Sequence, residues 1–315
     1  MLTNFFNIKS PVTQFLVFLF LFFIIGQSDL LITAETQDLW ISYMRDAVLY
    51  FVIAVILGLA LFYIPKNKKI NPSNFLISTI IIFTLIHPTS PFISKVLAIL
   101  ILPVRALMFK YKQIQIFNPA VFSLFTVYWI FDIFFLITNQ ENTYIISWWG
   151  ADLTFQFLEK IPILMYSVAT GLLISFIYFS KKFKKHLHPI IFVTTYLLLS
   201  GGYFAITESI FPQEILLTSF KALLFAGFVM LSEPKTSPVK INHQIFLGFF
   251  SGFLLFLITD FGLKIPGDPL INILMIANLI SFVLKVIDKQ KDIKTQTVST
   301  PNVKIINTSN QKISR

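Results

Sequence analysis

The sequence predicts an all-α, polytopic membrane protein of about ten transmembrane helices, arranged as two inverted five-helix repeats with broken helices. Three observations predict it. The 315 residues are 56% hydrophobic and 13% charged, with a mean hydropathy of +0.77, more apolar surface than a soluble domain of this length can hide. Apolar runs of roughly twenty residues recur along the chain, the length that crosses a bilayer core. The connections between these runs alternate between basic and acidic.

The runs fall at 13–32, 46–64, 74–88, 93–110, 117–138, 161–179, 189–207, 214–232, 245–263 and 270–287. The third is short, a partial or a tilted span. Lys66, Lys68 and Lys69 follow the second run, and Arg105, Lys110 and Lys112 close the fourth. Lys181, Lys182, Lys184 and Lys185 follow the sixth, and Lys235 and Lys240 the eighth. The alternate connections carry Asp29, Glu35, Asp38, Glu141, Asp152, Glu159, Glu208 and Glu214. By the positive-inside rule both termini are cytoplasmic and the chain is a multi-pass protein of the cell (inner) membrane.

This divides the chain into a cytoplasmic N-terminus (1–12) with no cleavable signal, a first repeat (13–138), an extracytoplasmic loop (139–160), a second repeat (161–288) and a disordered basic tail (289–315). The loop contains Ser147-Trp-Trp-Gly-Ala-Asp-Leu-Thr154, whose paired tryptophans also suit an interfacial belt.

Several chemistries are excluded by composition. The chain has no cysteine, which rules out disulfides and thiolate-held metals. Its net charge of +10 lies in the tail and the short connections, so it reports topology, not nucleic-acid binding. His87, His186, His188 and His243 do not pair on facing spans as a membrane haem requires, and His186 and His188 read as solvated residues of a basic loop. No metal constellation and no phosphate-cradling loop is present. Gly201-Gly202 and Gly248-Phe-Phe-Ser-Gly252 are spaced for close helix packing.

Function is expected at two breaks. Ser232-Glu233-Pro234-Lys-Thr-Ser-Pro238 stops the eighth run, and His87-Pro-Thr-Ser-Pro91 stops the third. Proline removes a backbone donor and restricts the residue before it, and such breaks persist in a bilayer only against water, protein or a ligand. Each break is third in its half, and Asn118-Pro119 and Asp268-Pro269 open the fifth and tenth runs alike. The scheme predicts that the two breaks, oppositely directed, meet in one polar cavity. Lys221, about eight residues into the eighth run, is a candidate to pair with an acid or an anionic ligand, or else snorkels outward. Glu233 at the break is either a site residue or a cap. Asp132 and Asp260 read as interfacial.

The motif order resembles the RnfD/NqrB family, the integral flavoprotein subunits of Rnf electron-transport complexes and of the sodium-pumping NADH:quinone reductase. Phe228-Val-Met-Leu-Ser-Glu-Pro-Lys-Thr-Ser-Pro-Val239 is similar to that family's FMATDPVTSPVT segment. The resemblance continues through Phe246-Leu-Gly-Phe-Phe-Ser-Gly252, Pro266-Gly-Asp268, Asn278 and Val286-Ile-Asp288. In the first half, Ile116-Phe-Asn-Pro-Ala-Val-Phe122 resembles the IFNPA segment, and Asn71-Pro-Ser-Asn74 the approach to helix three. The resemblance spans roughly 70–125 and 220–288 and implies ten helices as two inverted repeats.

It also implies a flavin, FMN or riboflavin. The family's threonine-bearing SGAT motif is absent here. Gly150-Ala-Asp-Leu-Thr154 stands in the corresponding loop, so covalent FMN would fall on Thr154, and non-covalent binding is the expected mode. A flavin needs position and electrostatics from the protein. Asn74, Asn118, Thr236 and Ser237 are suited to face the ring, and Lys221 or Lys235 to steady a phosphate or a reduced ring. The resemblance thus implies a subunit of a membrane oxidoreductase with no catalytic side chain of its own. Its partners would be other subunits of an electron-transport complex, or a cytoplasmic flavoprotein reductase, and the lipid bilayer. A solute transporter or channel on the same scaffold, and a cofactor-free structural subunit, are the alternative readings.

Overall fold

In a computed structural model, residues 10–33, 37–62, 72–87, 90–111, 114–139, 146, 162–207, 222–233 and 235–298 are described. Among them the chain forms helices α1 (Pro11–Thr33), α2 (Gln37–Phe62), α3 (Pro72–Leu85), α4 (Phe92–Met108), α5 (Pro119–Thr138), α6 (Pro162–Lys182), α7 (Leu187–Thr207), α8 (Ala222–Leu231), α9 (Ile241–Thr259) and α10 (Pro269–Val298). Each coincides with one of the ten apolar runs. Five contain a segment long and apolar enough to cross a membrane: Ile41–Leu61, Pro119–Thr138, Leu187–Thr207, Ile241–Thr259 and Pro269–Gln290. Large apolar side chains stand on the outside, Ile206 at 87%, Leu136 at 77% and Leu198 at 71% exposure. That surface suits lipid and not water. The architecture is that of a multi-pass α-helical membrane protein.

Two differences from the sequence reading are local. The connection after α4 folds into a two-stranded hairpin, β1 (Lys110–Tyr111) with β2 (Ile114–Gln115). α10 continues ten residues beyond 288, because 289–298 lacks proline and glycine and is rich in residues that tolerate a helix. The Trp148-Trp149 pair lies outside the described residues. Within that loop Ile146 is described, and it bridges to Ile86 just past the end of α3.

Helix starts follow local chemistry. Asn118 caps α5, its Oδ1 accepting from the amides of Ala120 (2.9 Å) and Val121 (3.3 Å), with Pro119 preset at the first turn. Asp268 does the same for α10, accepting from Ile271 N at 2.8 Å ahead of Pro269. α9 ends through Gly262 at φ +85°, where Leu263 N–H returns to the Leu257 carbonyl at 2.8 Å.

Ring and hydrogen-bond pairs give the helix directions. Phe15 meets Phe179 and Phe22 meets Phe176, so α1 and α6 run antiparallel. Asp46 meets Lys95 near the starts of α2 and α4, so those two run parallel. α7 and α9 are also parallel and pack very closely. A Cβ on Gly248 would lie 2.7 Å from His188 O, and one on Gly252 2.6 Å from Phe192 O. The expected small-residue contact is therefore present at Gly248 and Gly252. Gly202 has open space around its missing Cβ and makes no such contact.

The starts of α1, α3, α5, α7 and α9 gather at one end of the bundle with the lysines of the 183–186 and 235–240 connections; this is the basic end. Gly252→Val should force α7 from α9 and cost about 1–3 kcal/mol or more, whereas Gly202→Ala should be neutral or slightly stabilising. Thermal unfolding of both variants in detergent checks this, and equal loss in the two would remove the packing argument.

Candidate functional site

The expected break after α8 is present, and its geometry explains why a break is tolerated there. Residues Ala226–Leu231 form a π-helix, wholly buried, in place of the last α-helical turns. Wider helical turns of this kind are short and recur at functional sites. Side chains then take over the freed carbonyls. Ser232 Oγ donates to Phe228 O, Ser237 Oγ to Leu231 O, and Asn118 Nδ2 to Met230 O at 3.5 Å.

Beside this break lies a cavity of about 150 Å³. α1 and the turn after α6 supply an apolar wall in Val12, Phe15 and Phe183, the rings of Phe15 and Phe183 meeting edge-on at 5.8 Å. α3 supplies Asn74 and Ser78, α5 starts with Asn118 and Pro119, and the break contributes Ser232, Glu233 and Lys235.

Four of the sequence-predicted residues, Asn74, Asn118, Glu233 and Lys235, therefore converge from three distant parts of the chain. Asn118 is buried, and both acceptor sites of its Oδ1 are taken by the α5 cap. One of its two amide protons goes to Met230 O, which leaves the other for the cavity. The Asn74 carboxamide makes no hydrogen bond among the described residues. Glu233 accepts from Thr236 Oγ1 at 2.6 Å.

Thr236 and Ser237 stand apart from these four. Both are buried and neither lines the cavity; their hydroxyls are committed within the turn to Glu233 and Leu231 O. Ser237 serves a buried carbonyl at the end of the π-helix and Thr236 holds the Glu233 carboxylate, so both protons are already spent. Lys221 and Thr154 lie outside the described residues.

The expectation that the two breaks meet in one cavity is corrected. The 87–91 break is at the far end of α3, opposite the basic end, and carries a separate polar cluster. There Lys95, 1% exposed, donates to Asp46 Oδ2 at 3.1 Å with the rings of Tyr43 and Phe83 beneath it. Asp46 also meets the exposed Arg45 at 3.5 Å. The physical reason is helix direction: the breaks end helices that run in opposite directions, so each lands at its own end of the bundle. Burial, and then the Lys95 ammonium, hold His87 below its ordinary pKa.

Sequence reasoning passed over the Asp46–Lys95 pair, although opposite charges near the starts of two parallel helices were the available signal. It also misplaced His188, which is buried at 2% exposure. The basic residues around it suggested water, but Leu187 begins a helix that carries it under α9. Among the described residues no group of three or more His, Asp or Glu side chains could hold a metal ion.

No protein-family model, curated protein or solved structure matches this chain.

Asp46→Leu should cost ~3–5 kcal/mol by taking the carboxylate from a buried ammonium, while the Asp46→Leu/Lys95→Met double variant should recover most of it. Unfolding midpoints in detergent report both, and a double variant as weak as the single would refute this account of the pair. His87 titrates lower folded than unfolded, so as pH falls below about 6.5 the unfolded chain takes up the proton first and stability drops. His87→Gln should flatten that drop between about pH 6.5 and 5; an unchanged slope would rule His87 out as its source.

Proposed function

We propose that this chain is an RnfD/NqrB-like membrane subunit of an electron-transport complex, with a flavin held non-covalently at the cavity of the basic end. One observation carries the reading. The three stretches that bear the resemblance, around Asn74, around Asn118 and from Phe228 to Val239, are far apart in sequence, yet all three contribute to one cavity.

Helix pairing supports the inverted repeat. Within the first half α3 packs on α1, α2, α4 and α5, α2 on α4, and α4 on α5. Within the second half α8 packs on α6, α7 and α10, α7 on α9, and α9 on α10, which repeats every first-half pair except α3 with α4. Across the halves α1 meets α6 and α5 meets α10, the pairs that a two-fold axis would relate. With lysines concentrated at the basic end, that end is cytoplasmic in this reading, where a partner subunit or flavoprotein reductase would deliver electrons.

The donor set fits a flavin in chemistry. The Asn74 carboxamide can donate to or accept from ring heteroatoms, Asn118 can donate its second amide proton, and the apolar wall suits an aromatic face. Volume sets a limit: about 150 Å³ accepts one ring, as a cavity of that size accepts benzene, whereas sites for larger organic ligands run to roughly 300 Å³ or more. One ring of the three is therefore housed among the described residues. The isoalloxazine, when bound, supplies the redox chemistry; Asn74 and Asn118 orient it, and the wall of Val12, Phe15 and Phe183 keeps water from it.

Protein purified in mild detergent should release flavin on denaturation and show no in-gel flavin fluorescence on the denatured chain. Asn118→Leu should lower the flavin content severalfold while the protein still inserts. A natively folded protein devoid of flavin, or an Asn118→Leu variant with full content, would refute the assignment, and solute flux into liposomes without a redox donor would favour the transporter reading.

A further inference from the structure

The turn after α8 is fastened by more than the cavity requires. Every carbonyl from Lys235 to Val239 accepts a hydrogen bond from a side chain outside the turn. Lys285 Nζ donates to Lys235 O (2.8 Å), Ser281 Oγ to Thr236 O, and Gln244 Nε2 to Val239 O (3.0 Å). Lys185 Nζ takes the middle two, Ser237 O at 2.9 Å and Pro238 O at 2.5 Å. Lys285 and Ser281 belong to α10 and Gln244 to α9, whereas Lys185 comes from the tight turn between α6 and α7.

That tight turn is built to aim Lys185 inward. Lys184 adopts a left-handed conformation at φ 59°, which a residue with a Cβ adopts at a cost. Lys185 N–H then closes on Ser180 O at 2.8 Å, and Lys184 O is itself held by Gln244 Nε2 at 3.0 Å. The result is a lysine only 3% exposed, although Lys181, Lys182 and Lys184 just before it are exposed. Burial, and then the Lys285 ammonium, push it down to about 7. Surroundings that disfavour the charge, with two carbonyls as its only offset, are a poor place for a lysine whose sole task is topology.

We infer that Lys185 is the positioning residue of the cavity, its ammonium pinning the 235–239 turn and with it Glu233 and Lys235 in the cavity wall. The contact sets how readily that wall opens, and so how fast a ligand leaves. The identity of the ligand rests on the flavin reading above; the pinning of the turn does not.

Hydrogen–deuterium exchange on the full-length protein in detergent tests the pinning directly. Lys185→Met keeps the apolar stem and removes the donors. The amides of Thr236, Ser237 and Val239 should then exchange roughly tenfold faster or more, the scale of losing hydrogen bonds from a charged donor. The amides of α7 and α9 should be unaffected. Lys182→Met, an exposed lysine on the neighbouring turn, should behave as wild type. Methylammonium added to Lys185→Ala should slow the turn's exchange again, which a general packing defect would not allow.

In flavin-loaded protein, Lys185→Met should also shorten flavin retention. Unchanged exchange of the turn in Lys185→Met overturns the inference, as does acceleration spread equally over α7 and α9. Faster exchange of the turn with unaltered flavin retention overturns its link to the cavity. Absence of flavin from the wild type refutes the flavin reading alone, and the exchange measurements still decide the role of Lys185.

Discussion

The structure depends on one constraint: backbone carbonyls freed by a break inside an apolar bundle must find donors. Water is scarce at that depth, and each unmatched carbonyl costs on the order of 1–3 kcal/mol. The answer at the end of α8 is a relay of side chains. Ser232, Ser237 and Asn118 serve the carbonyls of the π-helix, while Lys185, Gln244, Ser281 and Lys285 serve those of the turn. These donors come from α5, α9, α10 and the turn before α7. Satisfying the break thus fixes the relative placement of most of the second half, and the cavity is the space left beside it.

Two pairs of parallel helices are joined by different means. In the first half α2 and α4 are joined by a buried ion pair, Asp46 with Lys95. In the second half α7 and α9 are joined by the absence of side chains at Gly248 and Gly252, which brings backbones together. A charge pair in an apolar setting costs desolvation that close glycine packing avoids. The break at the basic end lies beside a cavity and the one at the far end beside a buried ion pair.

What the sequence made legible was whatever depends on local pattern. All ten helices were readable because hydropathy over twenty or so residues reports span existence directly. The Asn118-Pro119 and Asp268-Pro269 starts were readable because capping needs only the next few residues. Convergence of Asn74, Asn118, Glu233 and Lys235 was anticipated, but the donors at Thr236 and Ser237 were not available for it, since a motif gives residue types and not where their protons go. The meeting of the two breaks failed because α3 starts and α8 ends at the same end of the bundle. Lys185 and His188 looked like loop residues, for their burial is set by helices that arrive much later in the chain.

Asn118 has a role that becomes visible only in time. Its Oδ1 closes the first turn of α5 as soon as that helix forms, but the carbonyl that its Nδ2 reaches belongs to Met230, 112 residues further on. During synthesis α5 is complete long before α8 exists, so one amide of this asparagine must wait. The bond is made when the eighth segment arrives, so the same residue that starts one helix also registers that the opposite half has docked.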